Sequence, residues 1–165
     1  MQFDVIVEVP RGSRNKYEID HATGVVRLDR QLFTSTRYPA DYGFVPGTLA
    51  DDGDPVDALV LLDEPTFPGC HIDCRAIGVL QTHDEKGGDA KLLTVPARDP
   101  RVTASDIGDV PEHVLLEIRH FFEIYKELEP GKGVVVEGWQ GRDAAEAVLR
   151  SAQQRYARSR SSADS

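Results

Sequence analysis

Between Val114 and Tyr125 the chain reads VLLEIRHFFEIY, and there the spacing of its apolar residues changes from two to three and four. Val114, Ile118, Phe121, Phe122 and Tyr125 share one helical face, with Pro111 near the first turn and Pro130-Gly131 beyond the end. That pattern predicts an amphipathic helix of about four turns. Upstream the period is that of strands. Phe3, Val5, Val7 and Val9 alternate with Gln2, Asp4, Ile6 and Glu8 until Pro10 and Gly12 end the pattern. Lys16–Ile19 and Val26–Arg30 flank the turn residues Asp20-His21-Ala22-Thr23-Gly24, which predicts a hairpin with Lys16 and Glu18 on one face. Ala58–Leu62 is uninterrupted and apolar, as in a strand buried on both faces. Ile72, Cys74 and Ala76 alternate with His71, Asp73 and Arg75, and Lys91–Val95 follows a Gly87-Gly88 turn. Downstream, Val134–Glu137 reads as a last short strand and Arg142–Ala157 as an Ala-rich helix. With neither an internal repeat nor a low-complexity linker, residues 1–157 are expected to form one domain and 158–165 a frayed tail. Many short strands followed by two helices predict an α+β fold, a small closed barrel with the helices packed outside.

A chain of 165 residues can bury about two thirds of its unfolded surface, so it needs neither disulfides nor metals to fold. Its 40% hydrophobic and 28% charged residues are ordinary for a globular protein. No apolar run has membrane-spanning length and the start lacks a signal-peptide pattern, so a cytoplasmic protein is expected. Nineteen basic against 28 acidic residues leave a net charge of −9, which argues against nucleic-acid binding. Cys70 and Cys74, four residues apart on one strand face, would lie about 13 Å apart, too far for a disulfide. Buried free thiols are expected.

The densest chemistry is Asp51-Asp52-Gly53-Asp54-Pro55-Val56-Asp57, directly before the buried strand. Four carboxylates in seven residues could be a solvated acidic turn. Gly53 and Pro55, however, would bend the chain so that Asp52, Asp54 and Asp57 converge. Converging carboxylates call for cations, and hard oxygen ligands select Mg²⁺ or Mn²⁺. A calcium-binding EF-hand loop is excluded, because Val56 and Asp57 stand where it needs a ligand and then glycine. Asp84 and Asp89 form a second acidic cluster beside Lys91. Lys16, Arg30, Tyr38, Tyr42, Tyr125 and Lys126 each have a bland reading as strand-face charges, barrel aromatics or helix-end cations. Around divalent ions, the same cations and phenols form a phosphoryl-transfer site, because they offset and hydrogen-bond the phosphate oxygens.

KYEID (Lys16–Asp20), YPADYGF (Tyr38–Phe44), DGDPVDALV (Asp52–Val60), DEKGGDAKL (Asp84–Leu92) and HFFEIYKELEPGK (His120–Lys132) together resemble the soluble family I inorganic pyrophosphatases, in order along the chain from Phe3 to about Trp139. DGDPVD beside YPADYGF is the specific pair. The resemblance implies a five-stranded OB-like barrel with flanking helices and Mg²⁺-dependent hydrolysis of pyrophosphate to two orthophosphates by in-line attack of a metal-activated water. In bacterial members it implies a homohexamer. Carried over by position, Asp52, Asp57 and Asp89 resemble ligands of the tighter metal site, and Glu8 and Asp84 contributors to further metals. Lys16, Arg30, Tyr42, Tyr125 and Lys126 resemble the phosphate-binding set, with Lys91 near it, and Glu18 and Tyr38 match supporting positions. Asp54 matches the general base, a role that some schemes give to Asp89. His21 is similar to a histidine of actinobacterial members, which pair it with another where this chain has Lys86. His21 is therefore left outside the expected catalytic set, and Lys86 would bring a movable cation to the second acidic loop.

Three other functions compete. A phosphohydrolase acting on nucleotides would need a base-stacking pocket or a Walker loop, and neither is legible. An OB-type nucleic-acid module conflicts with the acidic charge. A metal-storage domain leaves the Lys, Arg and Tyr set unexplained.

Overall fold

In the computed structural model, which describes residues 1–164, the strands are β1 (Phe3–Val9), β2 (Asn15–Ile19), β3 (Val26–Gln31), β4 (Asp41–Phe44), β5 (Asp57–Val60), β6 (His71–Asp84), β7 (Gly87–Pro96) and β8 (Val135–Gly141). The helices are α1 (Glu112–Ile124) and α2 (Arg142–Ala163). The main sheet runs β1-β4-β5-β7-β6-β8, and β1 also pairs with β6. That extra pairing joins β1, β4, β5, β7 and β6 into a closed ring of five strands, from which β8 extends along β6. The architecture is the expected α+β barrel with two helices packed outside.

Closure depends on the length of β6. Its first residues pair with β1 (Phe3 opposite Cys74) and its last with β8 (His83 opposite Val135), so one strand serves both the ring and the extension. The alternation read at 71–76 gives way to the two-sided burial of Ile77, Val79 and Leu80, which carries the strand on to Asp84. The expected Gly87-Gly88 turn lies two residues earlier: Glu85-Lys86 make it, and both glycines belong to β7.

The apolar run is buried on both faces from Ala58 to Val60, as read, while the strand ends at Val60 and Leu61 and Leu62 beyond it are only partly buried. Ala58 and Val60 join the cluster that covers Ala145, Leu149 and Ala152 of α2, while Leu59 joins the cluster around Ile118, Phe121 and Phe122 of α1. Strand β4 escaped prediction because it has four residues and no alternation; all four are buried. Gly43 is obligatory there, since a Cβ would stand 1.9 Å from the Ile6 carbonyl oxygen of β1. Helix α2 passes the expected end at Ala157 and continues to Ala163, so the expected fray at 158–165 is helical up to that residue. The Ser159 and Ser161 hydroxyls donate to the Tyr156 and Ala157 carbonyls. Both thiols are free, but only Cys74 is buried; Cys70 sits at the partly exposed entry to β6. Burial pushes the Cys74 thiol up to about 12.

Hairpin β2–β3 is a separate two-stranded sheet that shares no ladder with the ring; the Ile19 amide ties it to β1 by donating to the Glu8 carboxylate at 2.8 Å. It stands against one end of the barrel with Val26 and Leu28 exposed.

Candidate active site

Between that hairpin, the 51–57 loop and the turn after α1 lies a cleft of about 480 Å³. Strand register builds its centre. Lys91 of β7 is paired with Asp57, the first residue of β5, and Asp89 lies two residues back on the same face as Lys91. Tyr42 reaches the same point from β4. The Lys91 ammonium, only 2% exposed, donates to the Asp89 carboxylate at 2.8 Å, the Tyr42 hydroxyl at 2.8 Å and the Asp57 carboxylate at 3.1 Å. It also lies 4.8 Å from the Phe122 ring centre. Burial alone would favour the neutral amine, but the Asp57 and Asp89 carboxylates outweigh it and hold the Lys91 pKa well above its ordinary value.

One ammonium cannot neutralise two carboxylates. Asp89 is raised accordingly, by burial first and by the like charge of Asp57, against the pull of Lys91. Glu8 of β1 is pushed up to about 7 by burial, with Asp57 adding to it against a 2.8 Å hydrogen bond from the Ile19 amide. Asp52 is raised by burial and by its neighbours Asp54, Asp89 and Asp84. This is an acidic centre short of positive charge.

The acidic loop turns as expected. Gly53 has φ +89°, a conformation that side chains resist, and the Asp54 amide donates to the Asp52 carboxylate at 3.0 Å. Behind it, the Thr48 hydroxyl accepts from the Val56 amide at 3.0 Å and donates to the Val45 carbonyl at 2.6 Å. Asp52, Asp54, Asp57, Asp84, Asp89 and Glu8 all line the cleft. Among the described residues, no three acidic, imidazole or thiol groups are drawn into a ready-made cage. The donor chemistry nevertheless fits a hard divalent cation: several oxygen ligands face one space, and three are raised by burial and mutual repulsion.

The cations come from the other walls. Lys16 and Arg30 are direct cross-strand partners in the hairpin, an arrangement that repels unless anions intervene. Lys16 pairs with Glu18 at 2.9 Å and Asp29 at 3.3 Å. Arg30 pairs with Asp29, and with Glu129 at 3.0 Å. Burial lowers the Arg30 pKa, but Glu129 and Asp29 more than restore it. Lys126, 3.9 Å from Asp84, is lowered mainly by burial. Burial also pushes the Tyr125 phenol up to about 12. Tyr38 stands behind the cleft, 1% exposed and packed on Phe121 at 4.7 Å and Tyr42 at 5.4 Å, where it supports the wall.

The fold thus gathers Glu8, Lys16, Glu18, Arg30, Tyr42, Asp52, Asp54, Asp57, Asp84, Asp89, Lys91, Tyr125 and Lys126 around one space, with Tyr38 outside the lining. It also brings in His21, edge-on to Phe44 at 4.6 Å, and Lys86. Sequence reasoning missed Asp29, Lys132 and the buried Glu129. Asp29 adjoins Arg30, a usable signal; the Arg30–Glu129 pair spans 99 residues and had none.

A family model described as inorganic pyrophosphatase matches residues 5–157. The chain belongs to that family. An inorganic pyrophosphatase of Streptomyces coelicolor is 62% identical over 94% of this chain and 96% of its own length. The crystal structure of the inorganic pyrophosphatase from Thermus thermophilus covers 94% of this chain and 91% of its own, with 52% identity and a TM-score of 0.91. The Helicobacter pylori enzyme matches with TM-score 0.91 at 43% identity, over 94% and 93% of the two chains. The five-stranded ring is therefore the OB-like barrel of the inorganic pyrophosphatases.

Within that family frame, Arg30→Lys should lower kcat/KM on the order of ten-fold, equivalent to roughly 1.4 kcal/mol. The variant keeps the charge but loses the planar fork with which a guanidinium can grip two phosphate oxygens. Steady-state kinetics on pyrophosphate measure it, and a wild-type value would make Arg30 a plain strand-face charge.

Proposed function

We propose that this protein hydrolyses inorganic pyrophosphate to two orthophosphates and needs Mg²⁺ to do so. One observation carries the proposal: the carboxylates of Glu8, Asp52, Asp54, Asp57, Asp84 and Asp89 and the cations Lys16, Arg30, Lys91 and Lys126 line the same cleft. Asp52, Asp57 and Asp89, with Glu8 and Asp84, would hold the metal. When bound, Mg²⁺ offsets phosphate charge and makes a water acidic enough to serve as nucleophile near neutral pH. Lys16, Arg30 and Lys126 bind the phosphate oxygens by charge, and Tyr42 and Tyr125, both kept as neutral phenols by burial, donate hydrogen bonds to them. Asp54, at the exposed rim, accepts the proton of the attacking water; Asp89 is the alternative base. Lys91 holds Asp57, Asp89 and Tyr42 at fixed spacing.

The same proposal includes a single catalytic domain over residues 1–157, a cytoplasmic location and a homohexamer. No helix among the described residues is long and apolar enough to cross a membrane.

Phosphate release from pyrophosphate, followed with Mg²⁺, with Ca²⁺ and with chelator, is the test. Mg²⁺ should support turnover and excess EDTA should abolish it. Ca²⁺ should bind yet support little turnover, because its larger and looser coordination shell misplaces the reacting groups. Full activity in EDTA would remove the metal from the mechanism.

A further inference from the structure

The hairpin that carries Lys16 and Arg30 shares no ladder with the barrel and is tied to β1 at its Ile19 end by a hydrogen bond to the Glu8 carboxylate, so side-chain contacts rather than the sheet fix its cations relative to Tyr125 and Lys126. Glu129 spans that gap. Its side chain is 5% exposed, and its carboxylate oxygens lie 3.0 and 3.2 Å from one terminal nitrogen of Arg30. The backbone fixes Glu129 in turn: its amide donates to the Lys126 carbonyl at 2.9 Å, and its own carbonyl accepts from the Lys132 amide at 3.3 Å. Asp29 takes the other terminal nitrogen of Arg30. A buried carboxylate is costly unless paired, and Arg30 is the nearest cation to it, Lys132 standing 3.8 Å away and half exposed.

We infer that Glu129 is a positioning residue: it holds the Arg30 guanidinium, and with it the β2–β3 hairpin, at a set distance from the turn that carries Tyr125 and Lys126. The cations from the two elements then meet the two ends of one phosphoanhydride without having to be ordered when substrate arrives. This inference rests on the proposed pyrophosphatase activity and adds to it a residue that need not touch substrate.

A double-mutant cycle tests it, with Glu129→Gln made alone and in an Arg30→Met background. Alone, Glu129→Gln should lower kcat/KM for pyrophosphate by about ten-fold and weaken inorganic phosphate binding, measured calorimetrically, by about five-fold. In the Arg30→Met background it should cause no further loss, because the group through which it acts is gone. Should Glu129→Gln fail to fold, Glu129→Asp, which keeps the charge and shortens the reach, enters the same cycle with the same expectation. Equal losses in both backgrounds would mean that Glu129 serves the turn and not Arg30, and would overturn the inference. Tighter phosphate binding in the single variant would also overturn it, showing that Glu129 competes with phosphate for Arg30. Wild-type protein that neither hydrolyses pyrophosphate nor binds phosphate would overturn the activity itself, and the inference with it.

Discussion

Lys91→Met should lower the melting temperature of the metal-free protein on the order of 10 °C, and Mg²⁺ should restore much of the loss. Lys91 is buried, and its ammonium is shared by Asp57, Asp89 and Tyr42. Taking away one partner of a buried charge cluster typically costs about 3–5 kcal/mol, because the remaining charges are left unpaired. For a domain of this size each kilocalorie shifts the transition by about 2–4 °C. Methionine retains the unbranched shape, so little of the cost is packing. The pH dependence follows from the carboxylates. Asp89 is already raised by burial, and losing Lys91 removes the pull that opposes that shift. A carboxyl whose folded pKa exceeds its unfolded one destabilises the fold fully above the folded pKa, and the penalty fades as the pH falls from there towards the unfolded pKa. The deficit should therefore shrink as the pH falls from about 8 to about 5. Thermal melts with and without Mg²⁺ at the two pH values read all of this. An unchanged metal-free melting temperature would show that the three contacts contribute nothing. A larger Mg²⁺-induced rise in the variant than in wild type would show cation and ammonium serving the same carboxylates.

Asp54→Asn and Asp57→Asn should separate two roles within one acidic loop. Asp57 lies 3.1 Å from Lys91 at the floor of the cleft, while Asp54 stands exposed at its rim. If Asp57 is shared by two cations, its amide variant loses metal affinity and rate together. Asp54→Asn should bind Mg²⁺ nearly as wild type does but turn over about 10²-fold or more slowly, the usual worth of a placed general base. An amide takes no proton at any pH, so the rate of Asp54→Asn should recover only as hydroxide rises, moving the acidic limb of its pH profile upward. Each change exchanges one oxygen for a nitrogen of similar size in a loop, so the fold should survive both. Mg²⁺ titrations and pH–rate curves of the two variants decide the matter. Equal affinities with unshifted profiles would mean that the roles are wrongly assigned.

Much of this molecule was legible in its residues because the signals are local. The period change at Val114–Tyr125 located α1, and the uninterrupted apolar Ala58–Leu62 marked a strand covered on both sides, which the α1 and α2 clusters confirm. Alternation at Phe3–Val9 and the turn chemistry of 20–24 located β1 and the hairpin. The residues Gly53 and Pro55 announced a loop that gathers aspartates, because backbone torsion is a property of the residue itself.

What escaped the sequence depends on partners distant along the chain. Strand β4 has no alternation because both its faces are covered, and the extent of β6 is set by having β1 at one end and β8 at the other. The extra turns of α2 have polar residues that no periodicity marks. At the site, sequence supplied the carboxylates, lysines and tyrosines as types, but only the parallel register of β5 with β7 places Lys91 opposite Asp57. Only the docking of a free-standing hairpin on the turn after α1 gives Glu129 its Arg30. A charge writes its sign into the sequence, whereas its pairing is an energy that depends on distance and burial, and both of those are set when the barrel closes.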